Sequence, residues 1–185
     1  DEWPKEKSKE DIAETYGVDE SISFIRKTKE PPSLNLIKEL HKIVFKNSKN
    51  FAGEFRKKGE EVVVMSSSGA IVHEGAPQSR VVSLLNELID WYQEYKEKYP
   101  ALLLASVVHN QFENIHPFAD GNGRVGRLLL NYILLKSGLP PVNIELKHRQ
   151  EYYHTLQEYE KNKNIRPTIE FLLKEYKETK KALKK

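Results

Sequence analysis

The residues whose types and spacing could do chemistry are concentrated in one stretch, NIHPFADGNGRVGRLLL at 114–130. It contains one histidine, one aspartate, three glycines and two arginines, and it then continues into apolar residues. Histidine can take up a proton near neutral pH, a carboxylate can hold a divalent cation, and glycine-rich turns with arginines bind phosphate. The stretch is compatible with a dinucleotide site, a turn with only a structural role, or a catalytic phosphate site.

A dinucleotide site is suggested by Gly121, Gly123 and Gly126, which spell G-x-G-x-x-G. That fingerprint needs a β-strand before it and an acidic residue about twenty positions later. Glu145 lies at a suitable distance, but residues 101–115 have the length and periodicity of a helix. Because the strand is missing, the sequence disfavours this interpretation.

A structural turn would also explain the glycines, and Asp120 could simply cap the helix that follows. This interpretation does not explain the two arginines. Arg124 and Arg127 are three residues apart, so they share one face near the positive N-terminal end of that helix. Two cations in this position cost stability unless an anion joins them.

A phosphate would supply that anion. The backbone N–H groups of residues 121–123 and the helix N-terminus form a nest of donors, and Arg124 and Arg127 add forked hydrogen bonds. Asp120 would repel phosphate unless a cation such as Mg²⁺ lies between them. His116 suits a general base on an incoming hydroxyl, a role typically worth ~10²- to 10⁴-fold in rate. The combination predicts attack of a hydroxyl on a nucleotide phosphate, and no Walker A motif is present.

The rest of the chain must position these residues, and its composition fits a single all-α domain at 1–185. A length of 185 residues allows one proper core, and the net charge of +3 is too small to indicate nucleic acid. The chain has no cysteine, which excludes disulfides and thiolate metal sites. No apolar run approaches the ~20 residues that span a membrane. We therefore expect a cytoplasmic protein without a membrane partner.

Apolar periodicity places most of the chain in helices. The predicted helices cover approximately 8–16, 19–29, 34–45, 79–99, 101–115, 127–137, 147–161 and 167–183. Two runs of β-branched residues within 61–75, separated by turn residues, predict one β-hairpin. Residues 1–18 are expected to be a helical lead-in, and 174–185 a basic helix end that could continue into a further domain.

The segment HPFADGNGRVGR at 116–127 resembles the signature of the Fic family, H-x-F-x-[D/E]-G-N-G-R-x-x-R, at every specified position. The similarity extends over roughly 20–180 and includes GEFR at 53–56, the hairpin, HNQFENI at 109–115 and KHRQEYYHTLQEY at 147–159. The resemblance implies a Fic-type helical bundle with one β-hairpin flap. It also implies transfer of AMP from Mg-ATP to a Ser, Thr or Tyr hydroxyl of a target protein, or of the chain itself, with release of pyrophosphate.

The resemblance assigns roles to individual residues. It implies that His116 is the general base and that Asp120 holds Mg²⁺, while Phe118 anchors the loop to the core. The residues that it places at the nucleotide and its phosphates are Gly121, Asn122, Gly123, Arg124, Arg127, Asn131 and Tyr153. The flap, which would align a target strand by β-augmentation, contributes Val63, Val64, Ile71 and Val72.

One departure leaves the identity of the nucleotide base open, because Glu160 stands where relatives often have an adenine-pocket asparagine, with Asn162 nearby. Transfer of UMP or phosphocholine is therefore an alternative. Phosphoryl transfer is disfavoured, since phosphorylating relatives tend to carry lysine at the position of Gly123. A further alternative is a nucleotide-sensing regulatory module without turnover, with nucleic acid bound only through a domain beyond Lys185.

Many Fic proteins carry an inhibitory segment, S/T-x-x-x-E followed by Gly or Asn, whose glutamate pairs with the second arginine of the motif. The only Ser or Thr here with a glutamate four residues on is Ser83, and Leu88 follows that Glu87. The sequence therefore predicts no inhibitory segment in this chain. We expect such a segment upstream of Asp1 or in a separate inhibitory protein, and activity without release by another factor. A homo-oligomer is left open.

The other five histidines have simpler expectations. His41, His73, His148 and His154 are predicted to be surface or helix-packing residues, and His109 a satisfied core histidine. No histidine pair has the close spacing of zinc ligands, so zinc is not expected.

Overall fold

The computed structural model of the chain describes residues 8–65, 69 and 71–182. These residues form seven α-helices and one two-stranded antiparallel sheet, so the fold is all-α with a single hairpin, as the sequence predicts. The elements in chain order are α1 Lys9–Lys27, α2 Leu34–Phe45, β1 Val63–Met65, β2 Ile71–Glu74, α3 Val81–Tyr95, α4 Ala101–Ile115, α5 Asn122–Lys136, α6 Arg149–Asn162 and α7 Arg166–Ala182. Short 3₁₀ turns precede α3 and α6.

The centre of the bundle is the pair α4 and α5, which pack on each other over much of their length. Helices α1 and α2 cover α5, whereas α3, α6 and α7 cover α4. Phe112 of α4 and Leu134 of α5 have no exposed surface, and neither does Phe118 in the loop between the two helices. The loop that carries the chemical motif is therefore fixed between the two most central helices.

Helix α1 is continuous, although the sequence predicted two helices with a break near Gly17. Ser8 begins the helix with a capping box, in which its hydroxyl accepts from the Asp11 N–H and the Asp11 carboxylate binds back to Ser8. A Cβ at position 17 would overlap the backbone of Val44, so the glycine allows α1 to lie directly on α2. This packing outweighs the cost of a glycine inside a helix, about 1 kcal/mol. Residues 9–18 of the predicted lead-in thus belong to the bundle.

The hairpin forms where it was predicted. Its strands pair antiparallel with Val63 opposite Glu74 and Val64 opposite His73, and the register shifts before Met65. The side chains of Val63, Val64 and Ile71 are 43%, 37% and 63% exposed, which leaves apolar groups on the surface of a sheet that has only two strands. The backbone of Val72 lies in β2, but its side chain is outside the described part of the structure.

Two further expectations concern the ends of the chain and the membrane. Residues 1–7 of the predicted lead-in and 183–185 of the basic end lie outside the described residues. Within the described ranges, none of the helices combines the length and the apolar character that crossing a membrane requires.

The contact between α1 and α2 generates a first prediction. Gly17→Ala places a methyl group against the Val44 backbone, which cannot move without shifting α2. We expect a loss of about 1–3 kcal/mol in the free energy of unfolding, the usual cost of overpacking, even though alanine favours a helix. Urea unfolding measures this loss. Asp19→Ala, at an exposed position of the same helix, is the control, and an equal effect of the two substitutions would contradict the packing argument.

Candidate active site

His116 is held at the turn that ends α4. It is the C-cap of the helix with φ 53° and ψ 60°, and its N–H donates to the Phe112 carbonyl at 3.0 Å. A left-handed conformation is uncommon for a residue with a side chain. Arg56 supports it here, because the Arg56 Nε donates to the His116 carbonyl at 2.8 Å. The chain therefore changes direction at His116. The supported backbone conformation determines where the His116 ring lies.

The protonation state of His116 suits a general base. Its Nδ1 lies 3.0 Å from the carbonyl oxygen of Glu113, and because a carbonyl can only accept, Nδ1 carries the proton. Burial lowers the pKa of His116 to about 4, although the bond to Glu113 raises it in part. The ring is thus neutral at pH 7, and its Nε2 lone pair is available to take a proton.

The loop after His116 ends in a nest of backbone donors. Gly121 adopts φ 83° and is the N-cap of α5, without a side-chain cap. The helix begins at Asn122, five residues earlier than predicted, because Arg124 and Val125 already donate to the Gly121 carbonyl. The N–H groups at the start of a helix have no intrahelical acceptor, so those of Asn122 and Gly123 are suited to bind an anion.

The side chain of Asn122 is used inside the loop. It is 2% exposed, its Oδ1 accepts from the Phe118 N–H at 2.9 Å, and its Nδ2 donates to the Phe118 carbonyl at 2.8 Å. Both ends of the amide are therefore engaged with the backbone of one residue, Phe118. The phosphate contact predicted for Asn122 stays a prediction, which its backbone N–H is better placed to fulfil than its side chain.

Arg124 already has an anionic partner in this structure. Its Nη1 donates to the carboxylate of Glu14 in α1, its Nη2 lies 3.7 Å from Asp120, and its guanidinium covers the Phe45 ring. Glu14 is only 6% exposed. Lys49 joins the cluster, with its Nζ 3.8 Å from Glu14 and 3.6 Å from Asp120. An acidic residue thus lies where the sequence led us to expect a phosphate.

The sequence analysis missed Glu14. The inhibitory pattern requires Ser or Thr four residues earlier and Gly or Asn immediately after the glutamate, whereas this chain has Glu10 and Thr15. The sequence predicted no inhibitory segment of that pattern, and Glu14 does not match it, yet its carboxylate contacts a motif arginine. The pairing also differs from the expected one, because Glu14 binds the first arginine of the motif, Arg124, and not Arg127. The sequence alone does not show that Glu14 is buried, because its burial depends on the packing of α1 against α5.

Arg127 lies about one turn further along α5 than Gly123. A Cβ on Gly123 would come within 3.2 Å of the Arg127 Nη1, so the absence of a side chain at 123 leaves room for the guanidinium beside the nest. Arg127 also interacts with the buried Tyr152 hydroxyl and faces the carboxyl of Glu113, whose pKa burial raises to about 7. Arg124 thus lies in the first turn of α5 and Arg127 in the second.

Asn131 and Tyr153 lie further from the nest. Asn131 bridges the Val142 backbone, donating to its carbonyl at 3.1 Å and accepting from its N–H at 2.8 Å, and so fixes the loop after α5. Tyr153 is 45% exposed, and its hydroxyl accepts from Arg149 at 3.0 Å. The nucleotide contacts predicted for these two residues stay predictions.

Asp120 has the properties of a ligand for a hard cation. Its carboxylate is 48% exposed, and one oxygen accepts from the Gly121 N–H at 2.6 Å. The second oxygen is 3.6 Å from Lys49, so a cation already compensates its charge. Oxygen ligands of this kind, together with phosphate oxygens, suit Mg²⁺. The residues present therefore fit the metal that the sequence predicted, beside the backbone nest.

His41, expected at the surface or in helix packing, instead lies fully buried under the loop. Its Nδ1 accepts from the Gly53 N–H at 2.8 Å, so its Nε2 carries the proton and donates to the Asp120 carbonyl at 3.2 Å. The ring stacks on Phe118 at 3.9 Å, and burial lowers its pKa to about 4. His41 thus fixes both the anchor of the loop and the backbone of its acidic residue.

The match to known proteins agrees with this geometry. The profile of the Fic/DOC family matches residues 31–134, more than half of the chain, and this segment includes the complete loop. The chain belongs to the Fic/DOC family. Residues 116–127 therefore form the family motif, and the hairpin is its flap.

Individual relatives extend the match. The chain is 33% identical over 171 residues to the protein adenylyltransferase Fic of Drosophila willistoni, which covers 90% of this chain and 32% of the relative. A structure of Fic-1 from C. elegans (aa134–508) has a TM-score of 0.81 and 29% identity, covering 96% of this chain and 52% of that one. A Fic-domain signalling protein from Bacteroides thetaiotaomicron has a TM-score of 0.83 at 22% identity, covering 95% and 72%. The chain thus spans about a third of the length of the curated relative.

The buried titratable groups predict how stability depends on pH. Burial lowers the pKa of His41, His109 and His116 from 6.5 to about 4, so between these values the unfolded chain takes up protons that the folded chain does not. Glu113 acts in the opposite sense, because its pKa is raised from 4.5 to about 7 in the folded chain. The three histidines outweigh the one carboxyl, and stability falls on acidification.

We therefore expect the free energy of unfolding to decrease from pH 7 to pH 5, by about 1.4 kcal/mol per pH unit for each excess proton bound by the unfolded chain. Urea unfolding at pH 7.5, 6 and 5 measures this slope. His109→Gln should make the slope shallower, whereas exposed His154→Gln should leave it unchanged. A stability that is constant over this range would contradict the burial of neutral histidines.

Proposed function

We propose that the chain is the catalytic domain of a protein adenylyltransferase, which transfers AMP from Mg-ATP to a Ser, Thr or Tyr hydroxyl of a target protein or of itself. The observation that carries this proposal is the neutral His116, with Nδ1 bound to the Glu113 carbonyl and Nε2 available as a base. It adjoins a backbone nest and two arginines suited to phosphates. The names of the curated relatives, which are protein adenylyltransferases, support the same activity.

The proposed reaction is a displacement at the α-phosphorus. The target oxygen forms a bond to this phosphorus while its proton passes to the Nε2 of His116, and the bond to the oxygen of the leaving pyrophosphate breaks. The N–H groups at the start of α5 and the guanidinium groups of Arg124 and Arg127 stabilise the negative charge on the phosphates. Mg²⁺, held at Asp120, would neutralise further phosphate charge when bound.

The flap supplies a docking edge for the target. A two-stranded sheet has unpaired backbone groups at its edges, and an extended segment can add to such an edge as a further strand. The exposed side chains of Val63, Val64 and Ile71 would provide apolar contacts beside that strand. Val72 is part of the same proposal through its position in β2.

His116→Ala is the direct test of the chemistry. Because the base is lost while the phosphate nest remains, we expect transfer of labelled AMP to fall by at least about 10²-fold and Mg-ATP affinity to change little. Incubation with α-labelled ATP, CTP, GTP or UTP measures transfer and base preference, and calorimetry measures binding. His154→Ala, at an exposed histidine, is the matched control. If the wild-type chain and His116→Ala bind nucleotide with equal affinity and neither chain becomes labelled, the result would favour the nucleotide-sensing module.

The contact between Glu14 and Arg124 predicts that the isolated chain is restrained. A phosphate that binds Arg124 must displace the Glu14 carboxylate or share the guanidinium with it. Glu14→Gln removes the charge with little change in size. We expect it to increase Mg-ATP affinity and the rate of self-labelling by about tenfold, equivalent to about 1.4 kcal/mol. Glu10→Gln, one turn earlier and exposed, is the control. Unchanged binding in Glu14→Gln would show that the contact does not compete with nucleotide.

A further inference from the structure

His73 is the flap residue that turns inward. It lies in β2 opposite Val64, and its side chain is 15% exposed, whereas the neighbouring Glu74 is exposed. Successive side chains of a strand point to opposite faces, so His73 and Glu74 mark the inner and outer faces of the flap. The sequence analysis expected His73 at the surface or in helix packing, and the structure places it over the site.

The inward ring is tied to helix α6. Its Nδ1 lies 2.9 Å from the carboxylate of Glu160, in the last turns of α6, and this pair bridges the flap and the helix. Its Nε2 is buried and has no hydrogen-bond partner among the described residues. A buried polar atom without a partner is costly. The contact with Glu160 therefore ties the flap to α6.

The same ring contacts the proposed base. The ring centroids of His73 and His116 are 5.2 Å apart with a 54° tilt. Immediately after β2, a Cβ on Gly75 would lie 3.0 Å from the Cβ of His116, so the end of the flap passes directly over the proposed base. A shift of β2 would therefore change the environment of His116.

We propose that His73 is a positioning residue for the transfer reaction, held by Glu160 so that it sets the flap over His116. Misplacement of a target hydroxyl by about 1 Å is sufficient to lower a rate about 10²-fold. The inference rests on the proposed adenylyltransferase activity.

The position of the pair predicts a particular kinetic result. His73 and Glu160 act on the flap and the target, while the phosphates are bound by the start of α5. Loss of the His73 side chain should therefore lower the maximal transfer rate and leave the half-saturating Mg-ATP concentration nearly unchanged, whereas Glu160, which stands at the adenine-pocket position of relatives, is tested by the rate alone. A role in stability alone would alter the unfolding free energy and would not separate these two kinetic parameters.

The experiment uses self-labelling by α-labelled ATP in the Glu14→Gln chain, which serves as the active parent. We expect His73→Ala and Glu160→Ala each to lower the maximal rate about tenfold or more, and the double variant to lose no more than either one, because both remove the same pair. His73→Asn keeps an N–H donor near Glu160 and should recover part of the rate. Glu74→Ala, on the outer face of the same strand, is the matched control.

The outcomes separate the two proposals. If the Glu14→Gln parent does not transfer AMP to itself or to an added protein, the proposed function fails, and the role of His73 fails with it. If the parent is active and His73→Ala labels at the parental rate, only the positioning role is overturned. An equal loss in Glu74→Ala, or a change in the Mg-ATP half-saturation of His73→Ala as large as the change in rate, would overturn it as well.

Discussion

The buried guanidinium of Arg56 is the constraint on which the site depends. It is 2% exposed, and it donates to the carbonyls of Ile115 and His116 in the loop, of Glu60 before β1, and of Ala76 after β2. Burying a charge is costly unless it is paired and hydrogen-bonded. The satisfied donors of Arg56 meet this requirement with backbone carbonyls from three separate segments, and so join both ends of the flap to His116, the proposed base.

Because of these Arg56 hydrogen bonds, the flap and His116 are held in a fixed relation to each other. The backbone N–H of Ala76 also donates to Ile115 at 3.2 Å, and that of Arg56 to Pro117 at 3.0 Å. The loop after His116 is therefore held by main-chain bonds on the flap side, and by His41 on the side of α2. A base that must meet a hydroxyl from another molecule needs such a fixed relation to the docking edge, since a general base acts only within hydrogen-bond reach of its proton.

The sequence was sufficient for features that depend on local pattern. The helical periodicity of 101–115, the turn glycines and the β-branched hairpin each followed from residues close together in the chain, and the motif at 116–127 supplied the chemistry. The features it missed join distant residues. Glu14 and Arg124 are 110 positions apart, and His41 and Asp120 are 79 apart. The continuity of α1 through Gly17 likewise depended on the backbone of α2. In each case burial decides the role of a residue, and burial is a property of the assembled bundle.

The electrostatic balance of the loop connects these distant contacts to regulation. Arg124 and Lys49 are near Asp120, and without Glu14 this cluster would carry an excess positive charge suited to phosphate. Glu14 supplies the missing anion from within the chain, and it can do so because α1 approaches closely enough for its carboxylate to be buried. A phosphate and Glu14 therefore compete for one guanidinium, and the position of α1 determines the cost of exchanging them. Since Gly17 sets how closely α1 lies on α2, the proposed function implies that any movement of this helix would change the affinity of the site for nucleotide without altering a residue of the motif.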